Sequence, residues 1–580
     1  MSTREEIIAI VQGVIGSGEP IELSVPETEL FGHYSMNWAL RAAKARGATP
    51  LELAREYAAK IAAAAPEGFF HSVDAAAPGF INFWSSGKTI QEGFARVARD
   101  PKYGESDAGR GRTVIVEYSQ PNIAKKMHVG HMRTTIIGAA LANILECSGW
   151  RVVRWNYLGD WGTQFGKLIA AYKMWGDKGT VEKDPIEELQ KLYVRFHEEM
   201  KTDPALEERG REEFRKLEEG DRGNRKLWDW FKRESLREFR KMYKTLGVDF
   251  DIWVGESFFE RDMKPTVKLL VDEGIAERSQ GGIVVKLDDE GLPPALIEKS
   301  DGASLYLTRD IANIRYRLRT YKPSRIVYVV GNEQSLHFEQ LFAIAGKLGL
   351  TDAELIHVKY GLVLGERGRK LSTREGTAEM LEDLVNDAIV KAREVIEAKN
   401  PGLSNREKTA VAFAVAMGAI KYNDLKENRT TDIIFNWEKM LDFAGDSGPY
   451  LQYTYARLRS IVRKSRALPF AFRAAALAPF VKLAPGEAAT LEHTAELALM
   501  RKLFEFPEAV RRAGELYATS QLAVYLYQLA VAANKFYETT PILKDDNAAR
   551  RRARLALVAT AARVLRKGLG LLGIETLEKI

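Results

Sequence analysis

The 580-residue chain reads as a multidomain α/β protein: a doubly wound parallel-sheet unit with helical insertions, a small α/β unit before it, and an all-α helical bundle after it. Three observations carry that reading. The chain is too long for one hydrophobic core. Between residues 113 and 158 an apolar strand-like run, a helix-patterned segment and a second strand follow one another, the order of a crossover between parallel strands. Beyond residue 405 the pattern is almost wholly helical and rich in Ala, Leu and Arg, which predicts a separate bundle.

Taken in order, residues 1–105 hold helical patterns at 5–15 and 50–65 and a strand-like run at 79–84, a small α/β unit. Residues 100–111 carry Gly, Pro and charge and suit a linker. The sheet unit is placed at 106–404. Its first strand spans 113–119, and its first helix is signalled by Ile136, Ile137, Ala140, Leu141, Ile144 and Leu145 at turn spacing, with Gly149 as the stop. A strand at 151–158 follows. Residues 177–244 are densely charged with interspersed Leu, Tyr, Phe and Trp, the pattern of solvated helices inserted into the sheet unit. Sheet segments are expected again at 304–307, 325–331 and 355–361. Residues 405–580 form the helical unit.

Composition narrows the class. Hydrophobic residues make up 46% and charged residues 28%, as in globular proteins. No apolar run is long enough to cross a bilayer, and residues 1–16 contain Glu5 and Glu6 and read as an amphipathic helix rather than an export signal. A cytoplasmic protein without a membrane partner is expected, a monomer by default. The single cysteine, Cys147, excludes an intramolecular disulfide and a cysteine-based zinc site. A net charge of +6 permits a polyanionic partner without requiring one.

The chemistry concentrates at His128-Val129-Gly130-His131, where the first strand gives way to the first helix. Ligands of parallel sheets sit at the carboxyl ends of the strands. There Gly130 lets backbone approach a ligand, the helix N-terminus favours phosphate oxygens, and His128 and His131 donate to charge developing on an α-phosphate. A second signal, the basic loop 365–376, has glycines at both ends and follows a strand pattern; Lys370 suits departing phosphates and Ser372 offers a hydroxyl, as a closing lid would.

In this order the two signals resemble the signature motifs that embrace ATP in the Rossmann-like sheet of class I aminoacyl-tRNA synthetases. The flanking residues 117–127 (Glu-Tyr-Ser-Gln-Pro-Asn-Ile-Ala-Lys-Lys-Met) and 157–166 (Tyr-Leu-Gly-Asp-Trp-Gly-Thr-Gln-Phe-Gly), then Asp301-Gly302, 304–310, Gln334, His337-Phe338, Gly445 and 448–453, are similar to the arginyl-tRNA synthetase family. The second motif departs from the usual Lys-Met-Ser-Lys-Ser by carrying Leu371 and Thr373. The resemblance implies that Lys125, rather than neighbouring Lys126, supplies the missing cation.

It further implies an arginine–tRNA ligase that forms arginyl-adenylate from L-arginine and ATP, with Mg²⁺ arriving on ATP and no zinc, then transfers arginine to the terminal 2′-hydroxyl of tRNA-Arg. Activation is expected to depend on tRNA. His128, His131, Lys125 and Lys370 are the expected catalytic residues; Gly130, Leu371 and Ser372 join His128, His131 and Lys370 around ATP. Arginine is expected to meet Glu117, Gln120, Asn122, His131, Tyr306, Asp310 and Gln334. A guanidinium needs carboxylates in fork geometry, which Asp310 and Glu117 supply, and Tyr306 and Asp310 stand one helical turn apart. Residue by residue other roles stay open: Tyr306 as a core tyrosine, Asp310 as a helix cap, Glu117 as an ion-pair partner.

The helical unit carries Tyr450, Tyr453, Tyr455, Arg457, Arg459, Arg463, Lys464 and Arg466, then Arg550, Arg551, Arg552 and Arg554, aromatics and cations suited to unstacked RNA bases and phosphates. The resemblance makes it the anticodon-binding unit and assigns the N-terminal unit to the tRNA elbow. Three alternatives remain at this level: a cysteinyl or glutamyl synthetase, disfavoured by the missing cysteine-zinc spacing and the acidic pocket; a small-metabolite nucleotidyltransferase, which needs no long helical unit; and a tRNA-binding paralogue that does not charge.

Overall fold

The computed structural model describes residues 3–300, 306–365, 379–465 and 483–580. The N-terminal unit opens with the helix Thr3–Ile15. Its longer helix, Pro50–Ala64, starts where a capping box demands it: Thr49 accepts from the Glu52 amide, Glu52 reaches back, and Pro50 takes the first helical position. Three antiparallel strands, β1 (Tyr34–Met36), β2 (Phe70–Ala76) and β3 (Phe80–Ser85), pair in the order β1-β3-β2. Ile7, Val11, Trp38, Leu53, Ile61 and Phe83 close a core of their own.

The central sheet takes β4 (Thr113–Glu117), β5 (Arg151–Leu158) and β6 (Ile252–Gly255) before the chain leaves it for a small antiparallel sheet of β7 (Ala276–Ser279), β8 (Gly282–Val285) and β9 (Ala295–Glu298). It returns with β10 (Arg325–Gly331) and β11 (Glu354–Tyr360), giving the order β11-β10-β4-β5-β6 with every pair parallel. The chain runs outward from β4 in both directions, so the carboxyl ends of β4 and β10 flank a topological switch point.

Both sheet faces are covered, which is why β4 reads as an unbroken apolar run. Val114 and Val116 face the helix Val129–Cys147, with Ile136, Ile137, Leu141, Ile144 and Leu145 buried in that layer. Ile115 and Trp155 face the helices Tyr306–Tyr321 and Ser335–Lys347 through Leu307, Ile311, Ile314, Phe338 and Leu341.

The sheet segment expected at 304–307 is not found: Tyr306 and Leu307 begin the helix Tyr306–Tyr321, and residues 304 and 305 lie outside the described residues. The apolar spacing Leu307, Ile311, Ile314 is helical and prevails over the short Leu-Tyr-Leu alternation. The charged segment forms the expected helices, Lys178–Lys183, Pro185–Glu199, Ala205–Glu218 and Arg222–Leu246.

The helix Asn405–Leu425 is fastened to the sheet unit. Arg133, from the helix after the histidine motif, meets Asp424 at 3.1 Å with both side chains buried, and its remaining donors reach the carbonyls of Leu362, Thr431 and Arg429. Beside them β12 (Val363–Leu364) and β13 (Ile433–Ile434) pair in parallel. The helices Gly448–Ser465, Thr494–Phe504, Phe506–Glu515, Thr519–Thr539 and Ala548–Leu571 build the C-terminal bundle, against which the N-terminal region docks: Tyr103 Oη donates to the Leu503 carbonyl at 2.9 Å and Arg563 to that of Val97 at 2.7 Å. No helix of the described residues is long and apolar enough to cross a membrane.

Candidate active site

The two motif histidines cap their own helix. His128 is the N-cap of Val129–Cys147; its Nδ1 accepts from the Gly130 amide at 3.1 Å, while its own amide donates to His131 Nδ1 at 3.1 Å. A nitrogen that accepts an amide proton carries none, so each neutral ring holds its proton on Nε2. Burial lowers both pKa values; His131, with His128 beside it, falls to about 3, and Lys125 adds to the shift of His128. Among the described residues neither Nε2 has a hydrogen-bond partner. Two fixed N–H donors thus stand beside a helix N-terminus, where a phosphate is favoured.

The backbone leading to them is tightly folded. Ser119, Gln120 and Ala124 all have positive φ. Asn122 bridges to Gly159 just past β5, with the Ile123 amide donating to the Gly159 carbonyl at 3.1 Å. A Cβ on Gly159 would collide with the Asn122 side-chain oxygen, so only glycine leaves Asn122 in this position. Asp160, wholly buried, accepts from Lys232 Nζ at 2.5 Å and from the amide and hydroxyl of Ser257 at 2.8 Å each, joining β5 to β6 and to the inserted helix Arg222–Leu246.

The two lysines before the motif differ in commitment. Lys126 Nζ pairs with Glu187 at 2.6 Å. Lys125 is exposed, with Nζ 5.1 Å from the Tyr193 ring centroid and no carboxylate partner among the described residues. The chain after the second motif is pinned to the same turn: the Val129 amide donates to the Glu379 carbonyl and the Leu381 amide to that of Met127. Lys370, Leu371 and Ser372 themselves lie outside the described residues.

Acidic groups gather on the opposite sheet face. Asp310 stands one turn after Tyr306 and accepts from His337 Nε2 at 2.7 Å. Tyr306 is 59% exposed, with the Arg309 guanidinium 5.7 Å from its ring centroid. Gln334 is exposed at the end of the turn Asn332–Gln334 that follows β10. Glu117 ends β4; its Oε1 accepts from Gln120 Nε2 at 2.7 Å and its Oε2 from buried Arg317. Glu256, just past β6, is pushed by burial up to about 8 despite Arg309 at 3.4 Å. The carboxyl edge thus holds N–H donors on one side of β4 and carboxylates on the other, a division suited to a phosphate and a cation bound side by side.

A family model described as the catalytic domain of class I (R) tRNA synthetases matches residues 95–437, more than half of the chain. The chain belongs to the arginyl-tRNA synthetase family. Models described as the arginyl-tRNA synthetase N-terminal domain and the DALR anticodon-binding domain match residues 2–84 and 451–580. Arginine–tRNA ligase 1 of Bacillus cereus is 41% identical over 96% of this chain and 95% of its own length; the arginine–tRNA ligase of Exiguobacterium sibiricum is 40% identical over the full length of both. The Thermus thermophilus arginyl-tRNA synthetase structure superposes with a TM-score of 0.83 over 100% of both chains at 25% identity. That of Plasmodium falciparum gives 0.81 at 26% identity, covering 99% and 98%.

Within this family frame, the sequence placed His128, His131, Gly130, Lys125, Asn122 and Gln120 in one stretch, and the structure folds them around one turn. It did not reveal Gly159 and Asp160 as its supports, although both stand in the quoted 157–166 run, nor Glu256 and Arg317, which no local pattern marks. Most C-terminal arginines singled out for RNA are committed inside the protein: Arg550 and Arg554 to Asp545, Arg554 also to Glu496, Arg552 to Glu487, Arg459 and Arg463 to Glu578. Tyr455 is buried and donates to Glu578. Arg466 lies outside the described residues.

Proposed function

We propose that this arginine–tRNA ligase joins L-arginine to tRNA-Arg with ATP in two steps, and that its activation step requires tRNA. The pair of Nε2–H donors at the helix N-terminus, set across β4 from Asp310, is the observation that supports this reading. Arginine lies with its guanidinium toward Asp310, Tyr306 and Gln334 and its amino-acid end toward Asn122, Gln120 and His131; Glu117 enters through Gln120, whose amide it holds. The arginine carboxylate attacks the α-phosphorus and pyrophosphate leaves. Because both histidines are neutral, they stabilise the pentavalent phosphate by donating hydrogen bonds rather than by transferring protons. Lys125 and Lys370 offset charge on the departing pyrophosphate, with Gly130, Leu371 and Ser372 completing the ATP site. The terminal 2′-hydroxyl of tRNA then attacks the adenylate carbonyl and releases AMP.

Among the described residues no group of three His, Cys, Asp or Glu is placed to hold a metal ion. The residues around the histidines are hydrogen-bond donors, not metal ligands, so Mg²⁺ comes with ATP on its phosphate oxygens. The working division is 1–105 for the tRNA elbow, 106–404 for chemistry and 405–580 for the anticodon, with residues 405–437 fastened to the sheet. The protein acts as a cytoplasmic monomer without membrane or zinc. Pyrophosphate exchange into ATP tests the activation step: exchange with arginine, only with tRNA-Arg present, and none with lysine, glutamate or cysteine is expected. Exchange with another amino acid would remove the pocket assignment; exchange without tRNA would remove the dependence.

A further inference from the structure

Tyr157 carries a buried hydroxyl with no hydrogen-bond partner among the described residues. It lies on β5 two residues past Trp155, which is in register with Glu117 of β4, so strand alternation sends Glu117, Trp155 and Tyr157 to one sheet face. Tyr157 itself is in register with Val254 of β6, one row nearer the carboxyl edge than the buried Glu117–Arg317 pair. Its ring packs edge-on against Phe259, with centroids 6.2 Å apart. The charges that face the hydroxyl are those of Asp310, Glu256, Arg309 and Glu117. Such a group is costly in the free protein unless a ligand completes it.

The acceptor count on this face points to that ligand. A guanidinium presents five donors and no acceptor. Asp310 Oδ2 is already taken by His337, and both oxygens of Glu117 are taken by Arg317 and Gln120. A planar fork therefore needs an acceptor besides the remaining Asp310 oxygen, and the Tyr157 hydroxyl is one without a partner.

We propose that Tyr157 is a specificity-determining residue of the arginine site, its hydroxyl accepting a hydrogen bond from the substrate guanidinium beside Asp310. The proposal rests on the ligase reading. When arginine binds, an oxygen lone pair of the hydroxyl faces the guanidinium. Lysine, with a compact ammonium in place of the fork, cannot engage both acceptors in one plane.

Tyr157→Phe keeps the ring and its packing on Phe259 and removes only the hydroxyl. In tRNA-dependent pyrophosphate exchange, the variant is expected to raise KM for arginine about tenfold or more, the scale of one hydrogen bond to a charged group, and to leave KM for ATP within about twofold. Its thermal midpoint without substrate should hold or rise, since an unpartnered buried group has been deleted. An arginine KM within about twofold of wild type would overturn the proposal. So would a parallel rise in both KM values with a lowered midpoint, which would mark a purely structural tyrosine. Absence of arginine-dependent exchange in the wild type would instead remove the ligase reading, and the proposal with it.

Discussion

At His131 one residue carries several constraints: an amide proton fixes its tautomer, burial keeps it neutral, and its Nε2–H has no partner among the described residues. His131→Ala should lower kcat for adenylate formation about 10²–10³-fold, the usual effect of removing one preorganised donor, with little change in the KM for ATP. Steady-state exchange kinetics at saturating tRNA would read this. The ring also sets a pH dependence of stability. Its pKa falls from 6.5 unfolded to about 3 folded, so the unfolded chain binds the extra proton between those values and stability is lost as pH falls through that window. Thermal midpoints at pH 7 and pH 5 should therefore drop less in His131→Asn than in wild type. The lysines separate in the same manner. Lys125→Ala should slow activation, whereas Lys126→Ala, which breaks only a partly exposed pair with Glu187, should leave activation within about twofold and cost no more than about 1 kcal/mol of stability. Equal effects of the two would show that the uncommitted cation is not the catalytic one.

Between elements, close approach and buried charge decide. Gly159 lets the chain after β5 lie against Asn122, and Gly159→Ala should raise KM for arginine by displacing Asn122 while the fold survives; unchanged arginine kinetics would contradict that placement. Asp424→Leu strands the buried Arg133 guanidinium and should cost about 3–5 kcal/mol in chemical denaturation, because removing one member of a buried pair leaves an uncompensated charge. These supports explain what was legible in the sequence. The bounds 325–331 were readable because two-sided burial leaves a continuous apolar run ended by Gly331, whereas 151–158, broken by Arg154 and Asn156, was readable from Gly149 and Gly159 on either side of it. β1, β2 and the sheet β7-β8-β9 were not, since short, partly exposed antiparallel strands carry weak alternation. The histidine turn was legible because its residues are contiguous. The pairs Asp310–His337, Glu117–Arg317 and Arg309–Glu256 join residues from separate elements, so only the fold brings them together.

Across the molecule, the N-terminal region is not a loose appendage but is keyed to the C-terminal bundle, so the units proposed to hold the elbow and the anticodon of a tRNA share one frame. Tyr103→Phe deletes the buried hydrogen bond to Leu503 and should lower stability by about 1–3 kcal/mol, read from denaturation midpoints. The C-terminal arginines that the sequence offered to RNA are mostly neutralised by Glu578, Asp545, Glu496 and Glu487, so composition alone overstated the positive surface of the bundle. The central claim is that this scaffold charges tRNA with arginine. Its most direct test is aminoacylation of tRNA-Arg with labelled arginine and ATP, wild type beside Asp310→Asn. Acid-precipitable arginyl-tRNA is expected with the wild type, and a large rise in KM for arginine in the variant. No charging by a wild-type protein that binds tRNA-Arg, or charging with another amino acid, would contradict it.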